Sequence, residues 1–171
     1  MPLSEATLIR LHTEYALMAF RFAWSVTREE ALAQDVVQEL FLRLARGTLR
    51  VDGARSERSL IFRMVRNLAL DLLRRGRVRE DAASRWAAEL PEWFEPVAGG
   101  EEEQTQRALT EILCLLPEEQ RSVIHLHVWE DLSFREIGEL LEAPTQTVAS
   151  RYRYGLAKLR EALQHLETVL L

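Results

Sequence analysis

Residues 133–160 read SFREIGELLEAPTQTVASRYRYGLAKLR. Two helices and the turn between them are written in this stretch. Ser133 followed by Glu136 is a capping box, in which each side chain can satisfy an orphan amide of the first turn. Phe134, Ile137, Leu140 and Leu141 recur behind it at helical spacing. Glu142-Ala143-Pro144 stops that helix, because a residue before proline is pushed out of the α region. Thr145 is placed to cap a second helix. Along it Val148, Tyr152, Leu156, Leu159 and Leu163 stack on one side. At about 100° per residue, Gln146, Ser150, Arg153, Tyr154 and Ala157 point the other way. This is the plan of a helix-turn-helix, whose second helix enters the major groove with its N-terminal residues at base edges.

An ordinary helical hairpin with a solvated face has the same periodicity. Charge separates the two readings. Between Pro144 and Arg160 stand Arg151, Arg153, Lys158 and Arg160, with no acid. The segment before it, Pro117–Glu142, holds seven acids against Arg121 and Arg135. A surface built for solubility mixes its signs; here the positive charge sits on the helix that would meet phosphates.

The same sorting runs along the whole chain of 171 residues, whose net charge is −5. Residues 1–80 carry +4, residues 81–103 carry −6 and residues 104–171 carry −3. All cations but Lys158 are arginine, which favours bidentate and stacked contacts over simple point charge. Hydrophobic residues make up 47% of the chain, enough for real cores. Glycine and proline are scarce, and no long run alternates at period two. The expected fold class is therefore all-α: two small helical domains joined by an acidic linker.

Several function classes are excluded on the same grounds. No apolar stretch reaches the ~18 residues of a membrane span, and the N-terminus lacks a secretory signal pattern. The expected location is cytoplasmic. The single cysteine, Cys114, sits in an apolar run and reads as a small core residue. His125 and His127 point to nearly opposite sides of a helix, with no cysteine cluster near them, so no metal site is expected. No phosphate loop, nucleophile motif or cofactor motif is present, and no enzyme is expected.

The strip Asp81–Glu103, with Pro91, Pro96, Gly99, Gly100 and three consecutive glutamates, marks the boundary. Trp86, Trp93 and Phe94 within it suggest docking. The resulting division is 1–80, a linker at 81–103, and 104–171. Upstream, helices are expected over about 5–26, from a Thr27-x-x-Glu30 capping box to about Arg46, and over about 58–75. Gly47–Glu57 is a loop. Downstream, 105–115 is a helix and Pro117 opens the next at its first turn. The second helix has a core stripe of Ala33, Val36, Val37, Leu40, Phe41 and Leu44. Asp35, Gln38, Glu39, Leu42 and Arg46 lie outside it, and an exposed leucine among polar groups suggests a partner surface. The third helix buries Ile61, Val65, Leu68 and Leu72. It ends in Arg74-Arg75-Gly76-Arg77-Val78-Arg79, more positive charge than the helix dipole calls for.

Two halves of this kind, in this order, resemble an RNA polymerase sigma factor of the extracytoplasmic-function type. The resemblance covers nearly the whole chain apart from the linker. Asp35-Val-Val-Gln-Glu-Leu-Phe-Leu-Arg-Leu44 looks like the helix such factors place on the coiled coil of the polymerase β′ subunit. Ser59-Leu-Ile-Phe-Arg-Met-Val-Arg-Asn-Leu-Ala-Leu-Asp-Leu-Leu-Arg-Arg75 resembles the element that melts and reads the minus-ten element. Leu116-Pro-Glu-Glu-Gln-Arg121 looks like the entry to the fourth sigma region, and the helix-turn-helix resembles the minus-thirty-five reader. The chain departs from the family pattern at Leu60, Glu142, Ala143, Ala149 and Tyr154.

The resemblance implies a sigma region 2-like bundle followed by a sigma region 4-like helix-turn-helix domain. It implies core polymerase as partner, through the β′ coiled coil and the β flap, with promoter DNA and an anti-sigma factor. Asp35, Gln38, Glu39 and Arg43 would bind polymerase. The loop Leu49–Arg58 and Asn67 would capture an unstacked base, with Arg74 and Arg75 also on minus-ten DNA. Ser150, Arg153 and Tyr154 would face minus-thirty-five base edges, beside Gln146 and Thr147 at the helix start, with Arg151 and Arg160 nearer phosphates. Two other functions stay open on sequence: a helix-turn-helix regulator that binds DNA without polymerase, and a degenerate sigma-like adaptor that does not support initiation.

Overall fold

The structure, a computed structural model, describes residues 3–48, 57–79 and 112–170. The linker 81–103 with Trp86, Trp93 and Phe94, the loop 49–56, both expected domain boundaries and the start of the helix expected at 105–115 lie outside the described residues. Among those described there is no strand. Six helices follow one another: α1 (Glu5–Thr27), α2 (Glu30–Ala45), α3 (Glu57–Arg79), α4 (Glu118–Val128), α5 (Phe134–Leu141) and α6 (Thr145–Leu170). A helical stretch at 112–115 precedes α4. The chain divides into two compact units, the first containing α1–α3 and the second containing α4, α6 and most of α5.

In the first unit the apolar stripes of three helices meet. Leu11, Ala19 and Phe22 of α1, Ala33, Val36, Leu40 and Leu44 of α2, and Ile61, Phe62, Val65 and Ala69 of α3 are fully enclosed. Phe22 and Phe62 pack edge to face, 5.4 Å between centroids at 87°, a geometry worth roughly 0.5–1.5 kcal/mol beyond the area buried. Ser4 caps α1, its Oγ accepting from the Thr7 amide at 3.2 Å. The capping box expected at Thr27 and Glu30 does not form. Helix α1 runs on through Thr27, which is buried, and Arg28 ends it in the left-handed region at φ 59°. The Thr27 hydroxyl instead turns onto the backbone of Glu29, which occupies the α2 cap without a side-chain bond.

A second clamp joins α1 to the start of α3. Arg10 donates from both terminal nitrogens to Glu57, at 3.0 and 2.8 Å, and also to Glu14 at 3.0 Å. The hydrogen bonds from Arg10 hold the Glu57 carboxyl below its ordinary value of 4.5, and Glu57 in turn raises the Arg10 guanidinium. Burial, then the bond with Glu14, pushes the neighbouring Tyr15 hydroxyl up to about 12.

The second unit is organised around α6. Ile112, Leu113, Leu116, Ile124 and Leu159 form its core, with Tyr152, Ala162 and Leu163 packed against them. The Ser133–Glu136 capping box forms as expected: the Ser133 amide donates to Glu136 at 2.8 Å, and the Glu136 amide to Ser133 Oγ at 3.2 Å. Two caps are shifted by one residue from expectation, in opposite directions. The Pro144 carbonyl accepts from the Val148 amide, so Pro144, not Thr145, holds the cap position of α6. Pro117 is likewise the cap of α4 rather than its first residue. One member of the expected apolar stripe of α6 is displaced. Leu156 is 39% exposed and Gly155 is buried in its place. A Cβ at Gly155 would lie 2.6 Å from Ile124 Cδ1, so the absent side chain brings α6 down onto α4.

The turn of the helix-turn-helix depends on another glycine. A Cβ at Gly138 would stand 2.7 Å from the Ala143 carbonyl oxygen, a backbone atom that cannot swing aside. The Ala143 amide bonds back to the Gly138 carbonyl at 2.9 Å. Between them Glu142 takes the left-handed conformation, φ 54°, which costs an L residue roughly 1–2 kcal/mol.

Two expectations follow from these contacts, each measurable by denaturation of the full chain followed by circular dichroism. Gly138→Ala should destabilise the second unit by about 1–2 kcal/mol, because the overlap with backbone exceeds the ~1 kcal/mol of helix propensity gained. Glu142→Gly should stabilise it, by up to about 1 kcal/mol, by relieving the left-handed strain. A third concerns pH. A carboxylate with a lowered folded pKa stabilises above its unfolded value and loses that contribution as pH falls through the folded one. Glu57→Gln should therefore melt below wild type at neutral pH, and the gap should close as pH falls below about 4.5.

Candidate nucleic-acid interface

Two surfaces gather the residues singled out above, one on each unit. In the first unit, side chains of α2 and of the second half of α3 line a groove of two adjoining concavities, about 360 and 310 Å³. Arg43, Asn67, Asp71 and Arg74 line one over a floor of Met64 and Leu68. Asp35, Gln38, Glu39, Leu42 and Arg75 line the other, with Arg43, Leu68 and Asp71 common to both. The set implied for polymerase and part of the set implied for minus-ten DNA thus share one groove.

Ion pairs order its walls. Arg43 Nε donates to Glu39 one turn back on α2. Asp71 faces both Arg74, at 3.6 Å, and Arg75, at 3.4 Å. Asn67, Arg74 and Arg75 are exposed, as are Asp35 and Gln38, and Leu42 stands 47% exposed among them. Asp71 was not singled out from sequence; its place follows from the arginines three and four residues on, the spacing at which helical side chains meet. Arg58 is not in the groove. It is half-buried, its guanidinium 5.8 Å from the Phe62 ring centre and 4.0 Å from Met18 Sδ of α1.

In the second unit the outward face of α6 carries Gln146, Arg153, Tyr154, Ala157, Lys158 and Arg160, all exposed, with Tyr154 at 63%. Ser150 lies half-buried on the same face and Thr147 half-buried at its margin. Arg151 stands apart from this set. It is turned toward α4, where its Nη2 meets Glu119 Oε1 at 3.0 Å. The inner side of α6 is held by an aromatic cluster. Tyr152 meets His127 of α4 edge to face at 5.0 Å and Phe134 of α5 at 5.2 Å, and His127 hydrogen-bonds the Leu132 carbonyl through Nδ1 at 2.8 Å. All three helices of the motif are thereby locked to one another, and the polar face of α6 is presented as a rigid row. His125 and Glu130 form a buried pair at 3.5 Å. Among the described residues no cluster of histidine, cysteine and acidic side chains could hold a metal, and no helix is long and apolar enough to cross a membrane.

An arginine-bearing helix face on a helix-turn-helix is suited to phosphates and base edges in a major groove. A groove with asparagine, two exposed arginines and an apolar floor is suited to an unstacked base and its flanking phosphates.

Comparison with known proteins identifies two family regions along the chain. The model for sigma-70 region 2 matches residues 11–79, and that for sigma-70 region 4 matches residues 106–159. The chain is 32% identical over 170 residues to the ECF RNA polymerase sigma factor SigL of Mycobacterium tuberculosis (strain ATCC 25618 / H37Rv), over 95% of this chain and 93% of that one. It is 29% identical over 143 residues to the ECF RNA polymerase sigma factor SigW of Bacillus subtilis (strain 168), over 78% and 76% of the two chains. The fold resembles that of the sigma factor RpoE from Bartonella quintana, solved in complex with the anti-sigma factor NepR. The TM-score is 0.70 over 91% of this chain and 95% of that one, at 20% identity. With both sigma-70 regions in order and a relative matched along nearly its full length, the chain belongs to the extracytoplasmic-function family of RNA polymerase sigma factors.

Proposed function

We propose that this chain directs bacterial RNA polymerase to specific promoters for transcription initiation, as a specificity subunit without catalytic chemistry of its own. The observation that carries this reading is the groove of the first unit. A simple helix-turn-helix regulator has no use for a second polar surface in which Asp35, Gln38, Glu39 and Arg43 stand beside Asn67, Arg74 and Arg75. In our reading the α2 wall, with Leu42 as its apolar centre, docks on the polymerase β′ coiled coil. The α3 wall takes the separated minus-ten strand, Asn67 reading an unstacked base and Arg74 and Arg75 its phosphates. The second unit reads the minus-thirty-five element with Gln146, Ser150, Arg153 and Tyr154, flanked by Arg160, and contacts the β flap. The chain works in the cytoplasm, where polymerase and promoters are. We assign its control to an anti-sigma factor, the class of protein with which the sigma factor RpoE from Bartonella quintana was solved in complex.

This reading explains an acidic protein that binds DNA. Neither half needs high affinity alone, because docking on one large enzyme makes the second contact intramolecular.

The variant Asp35→Arg/Gln38→Ala should lose binding to core polymerase while keeping its helical spectrum, measured by co-purification and circular dichroism. Undiminished binding by the folded variant would remove the α2 wall from the interface. On the other unit, holoenzyme carrying Arg153→Ala should lose roughly 1–3 kcal/mol in promoter affinity and relax its preference at one base pair. Arg160→Ala should weaken all sequences alike and shallow the salt dependence by about one phosphate contact. Equal affinities and slopes for both variants and wild type would remove α6 from the major groove.

A further inference from the structure

The family resemblance places Arg151 near the DNA phosphates, yet its guanidinium is committed elsewhere. Its side chain is 23% exposed and its Nη2 lies 3.0 Å from Glu119 Oε1 in the first turn of α4. The pair joins two helices far apart in sequence, unlike the i,i+4 pairs on α2 and α3. Glu119 is favoured at that site by the dipole of α4 as well. Arg151 lies one turn of α6 before Gly155, the point where α6 approaches α4 so closely that a Cβ would be 2.6 Å from Ile124 Cδ1 and 3.5 Å from Gln120 Cβ. Steric contact at Gly155 fixes how near the two helices come. The aromatic contacts of Tyr152 with His127 and Phe134 restrain the roll of α6 from its inner side. The pair with Glu119, whose own side chain is 58% exposed, adds a second restraint on the flank, because turning α6 in either direction would separate the two groups.

We infer that Glu119 is a positioning residue for promoter recognition: by holding Arg151 on α4 it helps set the roll of the reading helix, and it withholds one cation from the DNA phosphates. The row Gln146, Ser150, Arg153 and Tyr154 then meets the duplex at one angle. Arg151 contributes to selectivity through that angle, with no phosphate contact of its own. A free arginine at this place would add sequence-independent affinity, which lowers discrimination. The inference rests on the reading of α6 as the minus-thirty-five helix.

The test uses holoenzyme reconstituted with wild-type chain, Glu119→Gln, Arg151→Ala or the double variant. Affinity is measured across a salt series on promoter DNA and on DNA with a scrambled upstream element. Glu119→Gln should steepen the slope of log affinity against log salt by about 0.9, the value of one added phosphate contact. It should also lower the promoter-to-scrambled ratio several-fold. Arg151→Ala should lower the ratio but leave the slope at the wild-type value. The double variant should match Arg151→Ala, since no arginine remains to be released. An unchanged slope in Glu119→Gln, or a slope shallower by about 0.9 in Arg151→Ala, overturns the inference. The same steepening with and without Arg151 also overturns it, because it would reflect only the loss of an acid near the duplex. Arg153→Ala distinguishes the two levels. If it too leaves affinity and preference unchanged, the reading of α6 fails; if it acts as expected and Glu119→Gln does not, only the role of Glu119 fails. Melting of each variant followed by circular dichroism verifies that the α4–α6 packing survives.

Discussion

The closeness of backbone approach within the second unit is the constraint on which the proposed promoter reading depends. Gly138 lets the turn fold back until the Ala143 carbonyl occupies the space of a side chain, and Gly155 lets α6 sink onto Ile124. Neither glycine acts through flexibility. Each removes a Cβ that would hold two elements apart, so that aromatic and ionic contacts can form across the gap. Tyr152, His127 and Phe134 close the cluster on one side, and Arg151 with Glu119 on the other. The outward row of α6 is rigid because its inner side is overdetermined. A DNA-reading helix needs this more than it needs many cations, since base contacts specify only if their register is fixed.

The first unit solves a different problem with the same materials. Its core is mainly aliphatic and aromatic, and polar side chains of α2 and α3 line its groove. Opposite charges alternate along that groove: Glu39 with Arg43, and Asp71 with Arg74 and Arg75. Such exposed pairs contribute little to stability. They hold Arg43, Arg74 and Arg75 beside carboxylates on the walls of the groove. On the proposed function, the net charge of −5 keeps general attraction to DNA weak and leaves discrimination to specific contacts.

Much of this was legible in the residues. Helical periodicity located α1, α2, α3, α5 and α6 to within a few positions, and the Ser133–Glu136 box was read correctly because a capping box is a local interaction complete within four residues. The polar face of α2 and the outward face of α6 followed from angle alone. What escaped depends on neighbours distant in sequence. Leu156 lies at the edge of the apolar stripe, and only the position of Ile124 decides that Gly155 is buried in its stead. Thr27 and Glu30 have the spacing of a capping box, but burial draws Thr27 into the end of α1. Arg151 and Arg153 are alike in type and near in number, yet Glu119 claims one and leaves the other on the surface. Asp71 belongs to the groove through a junction of two helices that no single periodicity reveals.

The two units together imply one activity that neither implies alone: core polymerase carrying this chain should start transcription where core polymerase cannot. The direct measurement is reconstituted transcription on genomic fragments, with start sites mapped for core polymerase with and without the full chain. Discrete start sites that depend on the chain, sharing sequence elements near minus ten and minus thirty-five, are expected. A chain that binds core polymerase and yields no such start sites would be an adaptor with a sigma fold, and would contradict the assignment of both surfaces to promoter DNA.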